Sequence, residues 1–273
     1  MESLIRILAA FLSTSAFAAL LGFGLAIAAK RLRVEKDETV EKLSDVLPGL
    51  NCGACGYAGC EGYAEALAAG RDEDISKCSP GGSEVKTGLG DVLGITASGD
   101  QRRMVARLAC LGGDGVAVRD FLYGGYADCE SARGHFDGDK GCKHGCLGLG
   151  SCVKSCPVHA IEYTSNGLVR VDEDLCIGCE VCVAVCPTGV MKMVDAESEW
   201  FVACNSTDKA KVTKSLCTAG CIGCRICERK FPDAGFKVTD NLSVLNYTDA
   251  IDNEGCQAAS AACPPKCIIK IKD

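Results

Sequence analysis

The sequence predicts an α+β protein in which an apolar N-terminal helix precedes small cysteine-rich modules of helices and short antiparallel hairpins. Three observations predict this fold class. Residues 7–29 contain no charged side chain, the 22 cysteines fall into regularly spaced groups, and short β-branched runs flank turn residues between those groups. A chain of 273 residues is long enough for two or three such modules.

The charge-free stretch from Ile7 to Ala29 is long enough to be a transmembrane helix. Its 23 residues span about 35 Å as a helix, and a hydrocarbon core is about 30 Å thick. Lys30, Arg31 and Arg33 follow at once, which by the positive-inside rule predicts a single-pass plasma-membrane anchor over residues 1–33 with cytoplasmic domains downstream. The alternative is a cleaved signal peptide, which the basic residues after the run disfavour.

A glycine-rich loop carries the first cysteine group, within a small domain predicted over residues 34–88. Its pattern, C-x2-C-x4-C-x17-C, is formed by Cys52, Cys55, Cys60 and Cys78. Four thiolates can hold one 4Fe-4S cluster, and the glycines let the backbone approach the sulfides and donate N–H groups to them. A zinc knuckle is the alternative, because zinc also binds four thiolates.

The next cysteine groups carry the signature of two-cluster ferredoxins, in a domain predicted over residues 141–200. The run from Cys176 to Pro187 reads C-x2-C-x2-C-x3-C-P without interruption. In that signature three thiolates hold one 4Fe-4S cluster and the fourth completes the other cluster. Interlocked groups that each end in Cys-Pro favour iron–sulfur over zinc ribbons, which use separated C-x2-C pairs.

The crossed assignment divides the cysteines of this domain into two ligand sets. The first set is Cys156, Cys176, Cys179 and Cys182. The second set is Cys142, Cys146, Cys152 and Cys186. Cys142 is included as a substitute because the position three residues after Cys146 is Leu149.

Residues 89–140 are poorer in cysteine and are predicted to form a connecting segment. Cys110 follows a predicted strand end, and Cys129 lies at a predicted helix start after Asp128. Neither cysteine has a close partner at metal-ligand spacing. We interpret both as buried small side chains, with an auxiliary ligand or a disulfide as the alternatives.

Turn signals place the strands of the ferredoxin-like unit. Residues 160–163 and 168–171 flank Asn166-Gly167, which is a strong hairpin signal. Residues 190–194 and 200–202 are expected to repeat this hairpin design. The predicted unit is therefore a bacterial-type ferredoxin-like module with short antiparallel hairpins.

The cysteine pattern then recurs, so residues 201–273 are predicted to be a diverged copy of the preceding module. Phe231 stands where the first copy has Cys156, which removes a ligand from one of the two clusters. The copy is therefore predicted to hold one cluster, bound by Cys221, Cys224, Cys227 and Cys263. This makes four clusters in the chain and leaves a fifth open, from the remaining Cys204, Cys217, Cys256 and Cys267.

Composition limits the class of function. Thiolates must stay reduced to bind iron, so the 22 cysteines are expected to face a reducing cytoplasm. The net charge of −7 and the scattered basic residues argue against nucleic acid as a partner. The sequence has no G-x-G-x-x-G after a strand, no G-x4-G-K-[ST] and no triad-like histidine, so we expect no substrate-converting site of its own.

The apolar anchor, the loop NCGACGYAGC with its later CSPGG, and the segment GCKHGCLGLGSCVKSCP together resemble the B subunit of the Rnf complex over nearly the whole chain. The Rnf complex is a membrane-bound, ion-translocating ferredoxin:NAD oxidoreductase. The resemblance implies an electron-transport subunit that relays single electrons from reduced soluble ferredoxin, through several 4Fe-4S clusters, to the other subunits of this translocase.

Two other classes of function stay open. One is a membrane-tethered polyferredoxin that serves another redox enzyme, such as a hydrogenase or a formate dehydrogenase. The other is a zinc-ribbon scaffold for protein assembly. Metal content and co-purifying subunits distinguish these three hypotheses.

Overall fold

The computed structural model describes residues 2–31, 37–96, 102–247 and 251–271, and it contains both helices and strands. The chain divides into two compact units, Met1–Glu41 and Lys42–Asp273. Arg33, one of the basic residues expected to flank the anchor, lies outside the described residues.

The first unit contains helix α1, Glu2–Arg31, which includes the whole charge-free stretch and ends with Lys30 and Arg31. Within it, Thr14–Arg31 is long and apolar enough to cross a membrane, and none of that window is buried. The side chains of Phe11 and Leu20 are 70% and 73% exposed. Apolar surface of this kind is stabilised by contact with hydrocarbon.

Three helices and a 3₁₀ turn surround the first cysteine group. The helices are α2, Glu38–Val46, α3, Cys60–Ala68, and α4, Gly82–Leu93, and the turn is Ser79–Gly81. Leu43, Tyr63 and Leu89, one from each helix, are fully buried. Glycine lets α4 approach α2 closely, since a Cβ at Gly88 would lie 2.8 Å from Val46 Cγ1.

The first repeat runs from β1 to β4. Its helices are α5, Cys129–Arg133, α6, Ser151–Ser155, and α7, Val181–Ala184. Its strands are β1, Met104–Leu108, β2, Ile161–Tyr163, β3, Val169–Val171, and β4, Met191–Asp195. Strand β1 pairs antiparallel with β4, with Ala106 opposite Met193, and β2 pairs antiparallel with β3, with Glu162 opposite Arg170.

The second repeat runs from β5 to β8. Its helices are α8, Ala210–Leu216, α9, Ile226–Lys230, and α10, Asn253–Ala262, with a 3₁₀ turn at Pro232–Ala234. Its strands are β5, Trp200–Val202, β6, Phe236–Thr239, β7, Leu242–Leu245, and β8, Ile268–Lys270. Strand β5 pairs with β8 and β6 pairs with β7, both antiparallel, so the outer pair and the inner hairpin recur in the same order.

Strand pairing differs from the sequence expectation at one place. A hairpin between residues 190–194 and 200–202 is not formed, because β4 pairs with β1 and β5 pairs with β8. In each repeat the first strand pairs with the last strand of the same repeat. Strand β1 thus brings the buried Val105 and Ala106 against β4. This pairing extends the first repeat back into residues 89–140, the expected connecting segment.

Cysteines form part of the hydrophobic core of both repeats. In the first repeat the core combines apolar side chains with buried Cys146, Cys152, Cys156 and Cys182. In the second repeat it includes Cys221, Cys227, Cys256, Cys263 and Cys267. A group bound by these thiolates would therefore contribute directly to the folding free energy.

Candidate iron–sulfur sites

The three cysteine loops of the repeats share one backbone conformation. In each loop the second and fourth residues after the first cysteine have positive φ, and these are Gly148 and Gly150, Gly178 and Glu180, and Gly223 and Arg225. The turn lets the N–H of Gly148 donate to the Cys146 sulfur, and that of Gly223 to the Cys221 sulfur. Such bonds favour the thiolate over the thiol.

Glycine is required at the second position of each loop because another backbone segment lies against it. An added Cβ would collide with a carbonyl oxygen, at 2.3 Å for Gly148, 2.6 Å for Gly178 and 2.7 Å for Gly223. The oxygens at Gly148 and Gly223 belong to Gly167 and Asn241, which lie in the turns of the β2–β3 and β6–β7 hairpins. Each hairpin thus fixes a cysteine loop.

Four thiols of the first repeat line one cavity, and they are Cys156, Cys176, Cys179 and Cys182, here called site 2. The structure brings together the set that the crossed assignment predicts. The N–H of Ala106 donates to the Cys176 sulfur at 3.4 Å, and that of Ala160 to the Cys156 sulfur at 3.3 Å. The thiols and N–H donors fit a 4Fe-4S cluster.

A second cavity is lined by Cys129, Cys146, Cys152 and Cys186, here called site 3. Cys142, the expected fourth member, lines a different cavity, and Cys129 takes its place. The cause is local: Asp128 caps α5 by accepting from Ser131 N at 2.9 Å, and the Cys129 N–H donates to Ser151 Oγ at 2.8 Å. These bonds place Cys129 beside α6, which carries Cys152.

The second repeat has a cavity lined by Cys221, Cys224, Cys227 and Cys263, here called site 4. This is the predicted set. The N–H of Ser243 lies 3.5 Å from the Cys221 sulfur, and its hydroxyl lies 3.2 Å from the Cys227 sulfur. Site 4 thus offers the same combination of thiols and hydrogen-bond donors.

Cys267 adds a fifth thiol to the lining of site 4. Its sulfur lies 3.7 Å from that of Cys263. Hydrogen bonding with Cys267 lowers the pKa of the Cys221 and Cys263 thiols, and the same bonds raise the pKa of Cys267. These shifts favour thiolates at Cys221 and Cys263, which suit iron binding, and a neutral thiol at Cys267.

Two other positions of the second repeat serve packing. Phe231, which replaces the equivalent of Cys156, packs against the core of this repeat. Cys256 is fully buried, and its S–H donates to the Ala234 carbonyl oxygen at 3.4 Å. Burial raises the pKa of the Cys256 thiol to about 11. Its contact holds α10 against the 3₁₀ turn.

The N-terminal cysteines, Cys52, Cys55, Cys60 and Cys78, here called site 1, lie close to one another. Burial raises the pKa of Cys78, and the neighbouring sulfurs of Cys60, Cys52 and Cys55 raise it further. Asn51 orders the loop, because its Oδ1 accepts from the Cys60 N–H at 2.9 Å. The structure thus gathers the four thiols of the predicted set.

A polar network joins the two halves of site 1. Asp72 Oδ2 accepts from Tyr57 Oη at 2.7 Å and from Lys77 Nζ at 2.5 Å. The Lys77 ammonium, with Tyr57, lowers the pKa of Asp72 to about 2. Because Tyr57 belongs to the glycine-rich loop and Lys77 precedes Cys78, the network fixes the distance between the loop and Cys78.

Burial opposes ionisation of several candidate ligands. It raises the pKa of the Cys146, Cys152 and Cys182 thiols to about 12, because the thiolate is poorly solvated there. Iron binding requires thiolates, so it has to displace these protons.

Among the residues that the structure describes, no group of three or more His, Cys, Asp or Glu side chains could hold a single metal ion.

Two family models match the chain at these sites. Residues 47–80 match the model described as "Putative Fe-S cluster", which covers site 1. Residues 142–193 match the model described as "4Fe-4S dicluster domain", which covers site 2 and most of site 3.

Relatives of known family cover most of the chain. It is 34% identical over 252 residues to the B subunit of the Na(+)-translocating ferredoxin:NAD(+) oxidoreductase complex of Acetobacterium woodii, which is 92% of this chain and 74% of the relative. It is 35% identical over 250 residues to the B subunit of the ion-translocating oxidoreductase complex of Methanosarcina acetivorans, which is 90% of this chain and 92% of the relative. The B subunit of the proton-translocating ferredoxin:NAD(+) oxidoreductase complex of Clostridium ljungdahlii is 37% identical over 247 residues, which is 90% of this chain and 84% of the relative.

These matches cover nine-tenths of the chain or more, and they confirm the resemblance stated from the sequence motifs. The chain belongs to the B subunit family of ion-translocating oxidoreductase complexes, the Rnf complexes.

Proposed function

We propose that this chain is the electron-transfer subunit of a membrane-bound, ion-translocating ferredoxin:NAD oxidoreductase complex. It takes single electrons from reduced ferredoxin and passes them through 4Fe-4S clusters to partner subunits. The relatives support this assignment, because they are subunits of complexes with that name. The observation that carries it is the succession of neighbouring cysteine-lined sites in the second unit.

The sites are close enough for their sulfurs to interact. Burial is the main cause of the raised pKa of Cys179 in site 2, and the Cys52 sulfur of site 1 adds to it. Burial likewise raises the pKa of Cys152 in site 3, and Cys182 of site 2 adds to it. An electron could therefore move from site to site, with one cluster oxidised as the next is reduced and no bond made or broken.

Three cavities support the ligand sets that we propose for sites 2, 3 and 4, with Cys129 in place of Cys142 at site 3. Site 1 keeps the predicted cysteines, whose sulfurs are neighbours of Cys78. Each cluster would supply one-electron redox chemistry, while the chain's own residues supply thiolates, N–H donors and exclusion of water. We assign the chain no substrate-converting site of its own.

For the membrane, we propose a single pass by α1 with the cysteine-rich unit in the cytoplasm. Lys30 and Arg31 at the end of α1 support this orientation. The test uses L122C, which places a thiol at a side chain that is 91% exposed. In intact cells, a membrane-impermeant thiol reagent should label L122C no more than the wild type, and opening the cells should add one label. Extra labelling of L122C in intact cells would contradict the orientation.

Electron entry is tested with the full-length chain, purified anaerobically in detergent. Reduced ferredoxin should bleach its iron–sulfur absorbance; failure to do so with a complete set of clusters would contradict the proposed donor. Partner subunits test the remaining alternative. A co-purifying flavoprotein nicotinamide reductase supports the proposal, whereas a nickel or molybdenum enzyme supports a polyferredoxin for a hydrogenase or formate dehydrogenase.

A further inference from the structure

A fourth cysteine-lined cavity lies where the two repeats meet. Its thiols are Cys110 and Cys142 from the first repeat and Cys204 and Cys217 from the second. We call these four residues the bridging site. The sequence pattern misses it because the members are spread over 108 positions of the chain.

The bridging site is built from two equivalent halves. Cys110 follows β1 and Cys204 follows β5, each by two residues, while Cys142 and Cys217 each lie four residues before the first cysteine of a loop. The repeats therefore present the same pair of thiols to a common centre. Because the module is duplicated and each copy contributes one pair, the site has four thiols.

Hydrogen bonds to the sulfurs obey the same symmetry. Cys110 Sγ accepts from Cys146 N at 3.4 Å, and Cys204 Sγ accepts from the equivalent Cys221 N at 3.2 Å. In addition, each of the four sulfurs accepts from the N–H group two residues later, and the donors are Gly112, His144, Ser206 and Ala219. In iron–sulfur proteins, backbone N–H groups donate hydrogen bonds to the cysteine sulfurs that bind the cluster.

Backbone contacts across the repeats hold the two halves together. Val118 N donates to Leu216 O at 2.8 Å, and Thr218 N donates to Val116 O at 3.1 Å. Between them Ala117 and Cys217 form an antiparallel bridge. The two pairs of thiols are therefore fixed relative to each other.

The lining provides charge and hydrogen-bond donors suited to a bound anionic group. Lys140 is only 3% exposed, and its ammonium donates to the Gly112 carbonyl oxygen at 2.8 Å. His144 Nε2 is buried without a hydrogen-bond partner among the described residues, and Asp208 Oδ2 lies 3.7 Å from it, beyond hydrogen-bond distance. A buried cation and an orphaned imidazole nitrogen fit a cluster whose four thiolates and sulfides carry net negative charge.

We propose that Cys110, Cys142, Cys204 and Cys217 bind a fifth 4Fe-4S cluster that joins the two repeats. Cys110 receives a hydrogen bond from a site 3 cysteine and Cys204 from a site 4 cysteine, so this cluster adjoins both sites. It would accept one electron from one neighbouring cluster and deliver it to the other. That electron-relay role rests on the proposed function; the metal site does not.

The test compares the full-length wild type with C142A/C217A, purified anaerobically. Wild type should contain about 20 iron and 20 labile sulfide atoms, and the variant about 16 of each. A matched control, C256A, removes a buried thiol that lines none of the cysteine cavities and should keep the wild-type iron content. Equal iron in wild type and C142A/C217A, or zinc at the bridging site, would overturn the proposal.

A second measurement avoids dependence on folding of the variant. Native mass spectrometry of the wild type should show a mass increment of five 4Fe-4S clusters, and an increment of four would overturn the proposal. A five-cluster protein that ferredoxin cannot reduce would contradict the proposed donor alone. A four-cluster protein that ferredoxin reduces would contradict the bridging site alone.

Discussion

The sulfur of Cys267 lies 3.7 Å from the sulfur of Cys263, inside the lining of site 4. Cys267 comes four residues after Cys263, where the first repeat has Ala160 after Cys156 and Val190 after Cys186. Among sites 2, 3 and 4, only site 4 thus has a fifth thiol. As a neutral donor to two ligand thiolates, it would affect the potential of the cluster without binding iron.

Replacing Cys267 by alanine should keep the iron content and lower the reduction potential of the site 4 cluster. The S–H bond stabilises the more negative reduced state, and a net hydrogen bond of about 1 kcal/mol corresponds to roughly 40 mV for one electron. Electron paramagnetic resonance during a redox titration measures the shift. Loss of about four irons would instead show that Cys267 is a ligand.

The capping role of Asp128 gives a test of site 3. D128A removes the acceptor for Ser131 N and Ser151 Oγ, and loss of an N-cap costs about 1–2 kcal/mol. Iron release from site 3 to a chelator should therefore be roughly tenfold faster. D128N keeps an acceptor and should behave almost like the wild type.

Asp137 supplies the control for that experiment. It lies in the same segment as Asp128 and makes an exposed ion pair with Arg133 at 3.7 Å. D137N should leave iron release unchanged, since exposed pairs contribute little and asparagine tolerates the positive φ of this residue. Equal release from D128A and the wild type would mean that the cap does not position Cys129.

The close approach at Gly148 predicts different effects for two glycine-to-alanine changes. Both Gly148 and Gly189 have positive φ, which costs alanine about 1 kcal/mol. At Gly189 a Cβ has no neighbour within 4 Å, whereas at Gly148 it would lie 2.3 Å from the Gly167 oxygen. G148A should lose a further 1–3 kcal/mol or so and shed iron from site 3.

Iron retention at site 3 under a chelator compares these two variants. G189A should release iron only about fivefold faster than the wild type, and G148A should release it much faster than G189A. If G148A and G189A retained iron equally, the packing of the β2–β3 hairpin on the cysteine loop would not be needed for the site.

A buried ion pair ties β1 to the segment before site 2. Arg107 is 5% exposed and donates to Glu173 through Nε at 2.7 Å and Nη2 at 2.8 Å. E173Q leaves a buried guanidinium without its carboxylate, which costs about 3–5 kcal/mol. The denaturant midpoint, followed anaerobically by iron–sulfur absorbance, should fall.

The pair of Arg170 and Glu162 is the matched surface control, with side chains 72% and 61% exposed. R170Q should change stability by less than about 1 kcal/mol. A midpoint for E173Q no lower than that of R170Q would contradict the structural role of the Arg107–Glu173 pair.

Local spacing explains which parts of the sites could be predicted from sequence. Cys176, Cys179 and Cys182 lie on one short loop, so their spacing alone indicates that they bind the same cluster. The proline after Cys156 marks the fourth member of site 2 in the same way. The helix start at Asp128 is predictable too, because aspartate before a helix is a local signal.

The rest depends on contacts between distant segments. Cys129 reaches site 3 through Ser151, which is 22 positions away. Cys142 reaches the bridging site only because the second repeat packs against the first. The pairing of β1 with β4 likewise joins residues more than 80 positions apart, and no short pattern specifies such a partner.

Iron and acid-labile sulfide per chain, measured on anaerobically purified full-length protein, test the central claim that these thiols hold 4Fe-4S clusters. We expect brown protein with about 20 atoms of each per chain. Colourless protein that contains zinc and no labile sulfide would contradict the claim.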